Sequence, residues 1–138
     1  PYNSHDLLYV KVDKGNLRYR IHTVQSGWLD WVSQGNPNDM VNGCAGMPGE
    51  AIDGVQLYYT TPSGEALSQA YYRSQTVDCF GWLGTCCDDG TTSIAGYDGW
   101  AGMFGEPPVL METRKRLVKP LALVHSTKKV PLRAKCLR

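Results

Sequence analysis

The sequence predicts an all-β protein, and three observations carry that prediction. Apolar and polar residues alternate from Leu17 to Thr23, which is the two-residue period of a half-buried strand. The 138 residues include 15 glycines, 8 prolines and 8 tyrosines, as expected for a chain with many turns and amphipathic rings. No long stretch carries a helical period. Two sequence blocks also recur, so we expect two related hairpin-based halves packed as one compact antiparallel domain.

The first predicted hairpin joins an apolar run at residues 7–12 to the alternating run that begins at Leu17. Asp13–Asn16 between them is a strong turn signal, because Asp, Gly and Asn favour tight turns. The alternation assigns a face to each residue of the second strand. Inward positions are Leu17, Tyr19 and Ile21, and outward positions are Arg18, Arg20 and His22.

The second predicted hairpin repeats this plan, with a run at residues 55–59, a turn at Thr61–Gly64 and a run at residues 70–76. Each hairpin is followed by a Gly-Trp-Leu strand, a long loop and a Gly-Glu pair. The loops at residues 34–42 and 88–98 are too polar for burial, and they flank the tryptophans. We therefore expect a binding surface where the strands that bear rings meet these loops.

The two copies correspond in two blocks of sequence. Tyr19-Arg20 recurs as Tyr72-Arg73 after 53 residues, and Gly43–Glu50 recurs as Gly99–Glu106 after 56 residues. Copy two therefore contains three additional residues between these two blocks. Because a half of about 50 residues buries little apolar surface alone, the halves are expected to share one core.

The charge distribution divides the chain. Residues 114–138 hold nine basic residues and no acidic residue, whereas residues 1–113 hold five basic and thirteen acidic residues. A Lys/Arg run without interleaved aromatic residues is typical of a solvated segment, so nucleic acid is not expected as a partner. The predicted divisions are a linker remnant at 1–6, the domain at 7–113 (copy one about 7–60, copy two about 55–113) and a basic, poorly structured tail at 114–138.

Cysteine content favours an exported protein. Five cysteines cannot all pair within one chain, and their density is more typical of secreted than of cytosolic domains. The connectivity stays open among Cys44, Cys79, Cys86, Cys87 and Cys136. No apolar run approaches the about 20 residues that cross a bilayer. No secretion signal opens the chain, so any signal is expected upstream.

Aromatic side chains are the leading candidate ligand contacts, because their faces suit ligands that are part apolar and part polar. Trp28 and Trp82 recur in register, which favours a packed scaffold role, although both stay among the candidates. Trp31 and Trp100 have no tryptophan counterpart, and we expect them to form a partly exposed platform. Tyr97 lies inside a polar loop and is expected to be exposed.

Polar candidates for the ligand site are Asn38, Asp39 and Asp98, whose oxygens could accept hydrogen bonds from a peptide amine. Turn capping is an equal alternative for each. Glu50 and Glu106 are expected to brace loops. Neither a metal nor another cofactor is expected, because a single histidine within the repeats, His22, cannot complete a three-ligand zinc set.

The motifs at Tyr19–His22, Gly27–Val32 and Gly43–Asp53 resemble the tryptophan repeats of Gram-positive surface and lytic proteins. The two-copy arrangement over about residues 7–113 is most similar to the target recognition domains of zoocin A-type secreted lytic endopeptidases. That resemblance implies a module that holds its enzyme on the cell wall, while a separate zinc peptidase domain cuts peptidoglycan. Copy two departs from copy one by carrying Cys79 before Trp82, Ser74-Gln75 for Ile21-His22, and Cys86 and Cys87 for Trp31 and Val32.

We therefore expect a secreted, extracellular, non-catalytic module that binds the peptide or cross-bridge of streptococcal-type peptidoglycan. It is expected to act as a monomer tethered to a zinc peptidase domain, without a nucleic-acid or membrane partner. One alternative is a lectin-like binder of wall glycan or teichoic acid. Another is a small hydrolase that uses Cys44 and His22, although no orienting residue or oxyanion motif accompanies that pair.

Overall fold

The computed structural model describes residues 5–76, 81–88, 99–105, 108–117 and 133–137. Every regular element in these ranges is a β-strand, so the predicted all-β class is confirmed. The strands are β1 (Leu7–Lys11), β2 (Asn16–Thr23), β3 (Gly27–Trp28), β4 (Ala45–Gly46), β5 (Ile52–Thr60), β6 (Ser68–Thr76), β7 (Cys86–Cys87), β8 (Ala101–Gly102), β9 (Pro108–Leu117) and β10 (Arg133–Leu137). Within the described ranges, no helix has the length and apolar character of a membrane span.

The strands form three antiparallel sheets, in the orders β10-β1-β4, β3-β2-β5-β8 and β7-β6-β9. The first two long strands contact each other, as do β5 with β6 and β9 with β10. The six long strands therefore follow one another around a common core in the order β1, β2, β5, β6, β9 and β10.

The predicted faces of β2 are confirmed. Leu17, Tyr19 and Ile21 are almost fully buried, whereas the outward side chains of the same strand stay partly exposed. Each fully buried aliphatic side chain contributes roughly 1.5–3 kcal/mol to folding. The core also takes in Ala70 and Tyr72 from copy two, so the two halves share one core as expected.

Several hydrogen bonds recur at corresponding positions of the two copies. The paired bonds are Tyr19 Oη to Gly43 O (2.7 Å) with Tyr72 Oη to Gly99 O (2.9 Å), Leu29 N to Ile21 O (2.9 Å) with Leu83 N to Ser74 O (2.8 Å), and Gly49 N to Asp6 Oδ2 (2.8 Å) with Gly105 N to Asp53 Oδ2 (2.7 Å). Each pair joins the same two parts of its copy. The duplication stays a prediction, and these paired contacts support it.

The strand register corrects one correspondence between the copies. Tyr19 bridges Val32, and the equivalent Tyr72 pairs with Cys86. Cys86 therefore takes the place of Val32, and Thr85, rather than Cys86, takes the place of Trp31. The cause is the single residue inserted before Trp82, which shifts every later residue by one position.

Both predicted terminal segments are shorter than expected. Residues 114–117 continue β9, and residues 133–137 form β10 against β1, so these parts of the predicted tail are strand. At the other end, His5 O accepts a hydrogen bond from Ile52 N, and the Asp6 carboxylate accepts one from Gly49 N. Residues 5 and 6 therefore belong to the fold, and the rest of the predicted linker lies outside the described residues.

Candidate functional site

Guanidinium groups and aromatic rings alternate along the outer side of β2, in an arrangement we call the arginine–aromatic ladder. The Arg18 Cζ atom lies 4.5 Å from the ring centroids of both Tyr58 and Trp31. The Arg20 Cζ atom lies 4.8 Å from the centroids of both Trp31 and Trp28. Each contact of this kind is worth roughly 0.5–1 kcal/mol when exposed, and more when water is excluded.

Strand register explains why these side chains meet. In the β2–β5 pair, Arg18 lies opposite Tyr58, and Arg20 lies opposite Gln56. Outward positions two residues apart share one face of a sheet, so the two arginines follow each other along it. The Arg20 Nε atom donates to Gln56 Oε1 at 2.6 Å, which fixes one edge of the guanidinium.

Three further rings pack with Trp28 at the end of the ladder, and we call these four rings the aromatic cluster. The Phe104 ring stacks on His22, with centroids 4.1 Å apart, and on Trp100, with centroids 4.4 Å apart. Trp28 stands edge-on to each of these rings, at 5.2 Å from His22 and 6.0 Å from Trp100. Trp28 belongs to both the ladder and the cluster, so they form one continuous surface, the outer aromatic face.

Gly54 lies beneath the aromatic cluster, directly opposite His22 in the β2–β5 register. A Cβ atom added there would lie 3.1 Å from His22 Cβ and 3.4 Å from ring atoms of Trp28 and Trp100. These separations are at or below ordinary van der Waals contact. A methyl group at this position would therefore fit only if His22 moved by a few tenths of an ångström.

Asp53 orients the cluster from below. Its carboxylate is 1% exposed; Oδ1 lies 2.5 Å from His22 Nδ1, and Oδ2 accepts a hydrogen bond from Gly105 N at 2.7 Å. One buried side chain thus holds both the imidazole and the turn that carries Phe104. A buried carboxylate with both oxygens engaged avoids the penalty of an unpaired buried charge.

The structure brings three of the four candidate tryptophans together. Trp28, Trp31 and Trp100 are each partly exposed on the outer aromatic face. Trp82 makes none of the described ring contacts of that face and stacks on Arg73, with 4.3 Å from Cζ to the ring centroid.

We predicted that the recurring tryptophans, Trp28 and Trp82, pack inside the core, and this prediction is wrong. Trp82 is 40% exposed and Trp28 is partly exposed, so neither is part of the buried core. The recurring feature is instead an arginine beneath a tryptophan, since Arg20 with Trp28 corresponds to Arg73 with Trp82. In each pair the indole ring covers the guanidinium on the outer side of the strand that carries the arginine.

The polar candidates divide differently. Asp39 Oδ1 accepts hydrogen bonds from Val41 N (2.9 Å) and Asn42 N (3.0 Å), which is the turn-capping alternative. Asn38 is exposed, and its backbone N–H donates to the Asn36 side chain. Tyr97 and Asp98 lie outside the described residues.

Glu50 braces a loop as predicted. Its carboxylate accepts hydrogen bonds from Thr23 Oγ1 (2.7 Å) and Ser26 Oγ (2.9 Å), across the turn between β2 and β3. These bonds favour the charged form, so the Thr23 hydroxyl first, and Ser26 second, lower the pKa of the Glu50 carboxyl. Glu106 lies outside the described residues.

The geometry disfavours a hydrolase that uses Cys44 and His22. Cys44 is a free thiol that is 1% exposed, and burial, with a smaller effect of the Asp6 carboxylate, raises its pKa. The thiolate that a cysteine nucleophile needs is therefore suppressed. His22 points outward into the aromatic cluster. Within the described part of the chain, no three His, Cys, Asp or Glu side chains are grouped to hold a metal.

Sequence reasoning missed Phe104 and underrated Arg20 and Gly54 as parts of the site. Alternation did place Arg20 on the outer face of β2. The position of Phe104 depends on β8, where Gly102 pairs with Gly54 and so delivers Phe104 to the ring of His22. The signal present in the sequence was the Gly-Met-Phe-Gly turn at residues 102–105, one residue after Trp100.

No protein-family model, curated protein or solved structure matches this chain.

Proposed function

We propose that this chain is a non-catalytic peptidoglycan-binding module that targets a secreted cell-wall hydrolase to Gram-positive, streptococcal-type walls. The observation that carries the proposal is the outer aromatic face, where Trp28, Trp31 and Trp100 are gathered on one side of the β2–β5 sheet and stay partly exposed. Partly exposed indole faces next to guanidinium groups suit a ligand with apolar surfaces and hydrogen-bonding edges.

The rigidity of this face supports the same proposal. The rings are held by stacking, by the buried Asp53 and by the close fit over Gly54, so little side-chain entropy is lost when a ligand binds. Modest affinity is sufficient for targeting. Once the module is bound, a tethered enzyme meets the wall at a high effective concentration, because the second encounter is intramolecular.

Sedimentation with purified streptococcal walls tests the proposal. Trp31→Ala removes the ring shared by both arginines of the ladder, and we expect the affinity for the walls to fall by about tenfold, as on losing an aromatic contact worth about 1.4 kcal/mol. Leu67→Ala is the matched control, because Leu67 is also an exposed apolar side chain and lies in the turn before β6. Equal binding by both variants would contradict the proposal.

The same assay separates the alternatives. Walls stripped of their peptides by an amidase should lose the module if it recognises the peptide or cross-bridge. Undiminished binding to stripped walls would establish the lectin-like alternative instead. Release of labelled fragments from intact walls by this chain alone would show catalysis and overturn the proposal.

A further inference from the structure

Arg20 carries a charge that its neighbours do not neutralise. Its described contacts are the rings of Trp28 and Trp31 and the neutral oxygen of Gln56. No carboxylate among the described residues forms an ion pair with it. This is notable because residues 1–113 hold thirteen acidic side chains and only five basic ones.

The surroundings of Arg20 suit an anion that accepts two parallel hydrogen bonds. The guanidinium lies over both indole rings, which make no ring contact with each other among the described contacts, so it separates them. Because Gln56 occupies the Nε position, the two terminal nitrogens remain to donate a pair of parallel hydrogen bonds. A carboxylate accepts such a pair with both oxygens and continues the plane of the guanidinium; a phosphate can accept the same pair, and the experiment below distinguishes the two.

Copy two differs at the corresponding position. Arg73 stacks on Trp82, but Thr85 stands where copy one has Trp31, so the described residues supply no second indole ring there. The β6–β9 register also places an acidic residue, Glu112, opposite Arg73, where copy one has neutral Gln56 opposite Arg20.

We propose that Arg20 is the recognition point for a peptide carboxylate of the ligand, and that copy two provides no equivalent site. The inference rests on the proposed function, because it takes the outer aromatic face as the binding surface and names the ligand group held there. Recognition is bidentate: both oxygens of the carboxylate accept from the terminal nitrogens of Arg20, between the walls formed by Trp28 and Trp31.

The test compares untreated walls with walls whose carboxylates have been converted to amides by carbodiimide and ammonia. We expect the parent chain to bind the amidated walls about tenfold more weakly, corresponding to the loss of one charge-assisted pair. Arg20→Gln should bind both kinds of wall at that lower level. Arg73→Gln should bind both as the parent does.

Gln56→Glu keeps Arg20 and both indole walls but supplies an internal carboxylate at the position opposite Arg20. Gln56→Glu should lower binding to untreated walls as much as Arg20→Gln does. Because it keeps Arg20 in place, this result would not depend on whether Arg20→Gln disturbs the packing of the ladder. Gln75→Glu is the matched control, because it adds the same charge at a partly exposed position of β6. We expect it to bind as the parent does.

The outcomes separate the two proposals. If the parent chain fails to bind any wall, the proposed function is overturned. If it binds untreated and amidated walls equally, or if Gln56→Glu binds like Gln75→Glu, the function stands and the carboxylate site is overturned. If binding is instead lost when hydrofluoric acid removes wall phosphate, teichoic acid is the ligand and the carboxylate site is overturned as well.

Discussion

Individual residues of the outer aromatic face are constrained by their neighbours more than by their own backbone. A side chain at Gly54 would press against His22, Trp28 and Trp100, which lie directly above it. The buried carboxylate of Asp53 contacts His22 Nδ1 through one oxygen and accepts a hydrogen bond from Gly105 N through the other. Substitutions here therefore test the packing of the site rather than its chemistry.

Gly54→Ala is expected to lower the free energy of unfolding by about 1–3 kcal/mol, the usual cost of overpacking, and to weaken wall binding by displacing the rings. Urea denaturation followed by tryptophan fluorescence measures the first effect. Gly84→Ala is the control, since a Cβ atom there meets nothing within 4 Å and the effect should stay within about 0.5 kcal/mol. Equal effects at both positions would contradict this account of Gly54.

Glu50 gives the fold a dependence on pH. The pKa of its carboxyl is lowered in the folded state by hydrogen bonds from Thr23 and Ser26. A lowered folded-state pKa stabilises the fold above the unfolded-state value of about 4.3, and that contribution is lost as the pH falls through the folded value. Stability should therefore decline more steeply below about pH 5 in the parent chain than in Glu50→Gln.

Thermal unfolding of both chains between about pH 3 and pH 7 measures this difference. Glu65→Gln is the comparison, because it removes the carboxylate of an exposed ion pair with Lys14, and such surface pairs contribute little to stability. If Glu50→Gln follows the parent at every pH, the brace contributes nothing to the acid response.

At the scale of elements, local patterns were predictable and pairings were not. The two-residue period assigned the inner and outer faces of β2 correctly, because that period depends on neighbouring residues alone. Which residues of β5 lie opposite them depends on register between distant segments. The contacts of Arg20 with Gln56 and of His22 with Asp53, each joining residues far apart in sequence, could not be inferred.

A buried tyrosine ties a long loop to a strand. Tyr19 Oη donates to Gly43 O at 2.7 Å and accepts from Gly35 N at 3.1 Å, which anchors both ends of the polar loop after β3 to the middle of β2. Tyr19→Phe leaves both buried backbone groups without this partner. We expect a loss of about 1–3 kcal/mol in the free energy of unfolding.

Urea denaturation measures that loss, and Tyr58→Phe is the control. The hydroxyl of Tyr58 makes no hydrogen bond with the described residues, so the same chemical change should be nearly neutral there. If the two variants are equally stable, the loop is not held through Tyr19. Added protease should cut the loop of Tyr19→Phe faster than that of the parent, because its anchor is lost.

For the whole molecule, β10 completes the ring of long strands. It pairs with β1 along five residues, from Leu7 opposite Leu137 to Lys11 opposite Arg133. Composition predicted a solvated tail there, because Lys and Arg without acids usually indicate one. Pairing with a strand about 120 residues away leaves no local signature in sequence.

Deleting residues 133–138 should lower the free energy of unfolding by roughly 3 kcal/mol, since several backbone hydrogen bonds are lost at about 1 kcal/mol each. The deletion also leaves β1 with an open edge, which favours association between molecules. Chemical denaturation and analytical ultracentrifugation report the two effects. An unchanged midpoint together with a monomeric deletion variant would show that β10 does not support the fold.

The pairing of Leu7 with Leu137 has a topological consequence. The first and last of the described strands run side by side in opposite directions, so Leu7 and Leu137 are neighbours. A short peptide could join them and new termini could be opened at the exposed Gly64 turn, giving a circular permutant with the same ladder and cluster. For the same reason the domain could be inserted into a surface loop of another protein without separating the two ends of that loop.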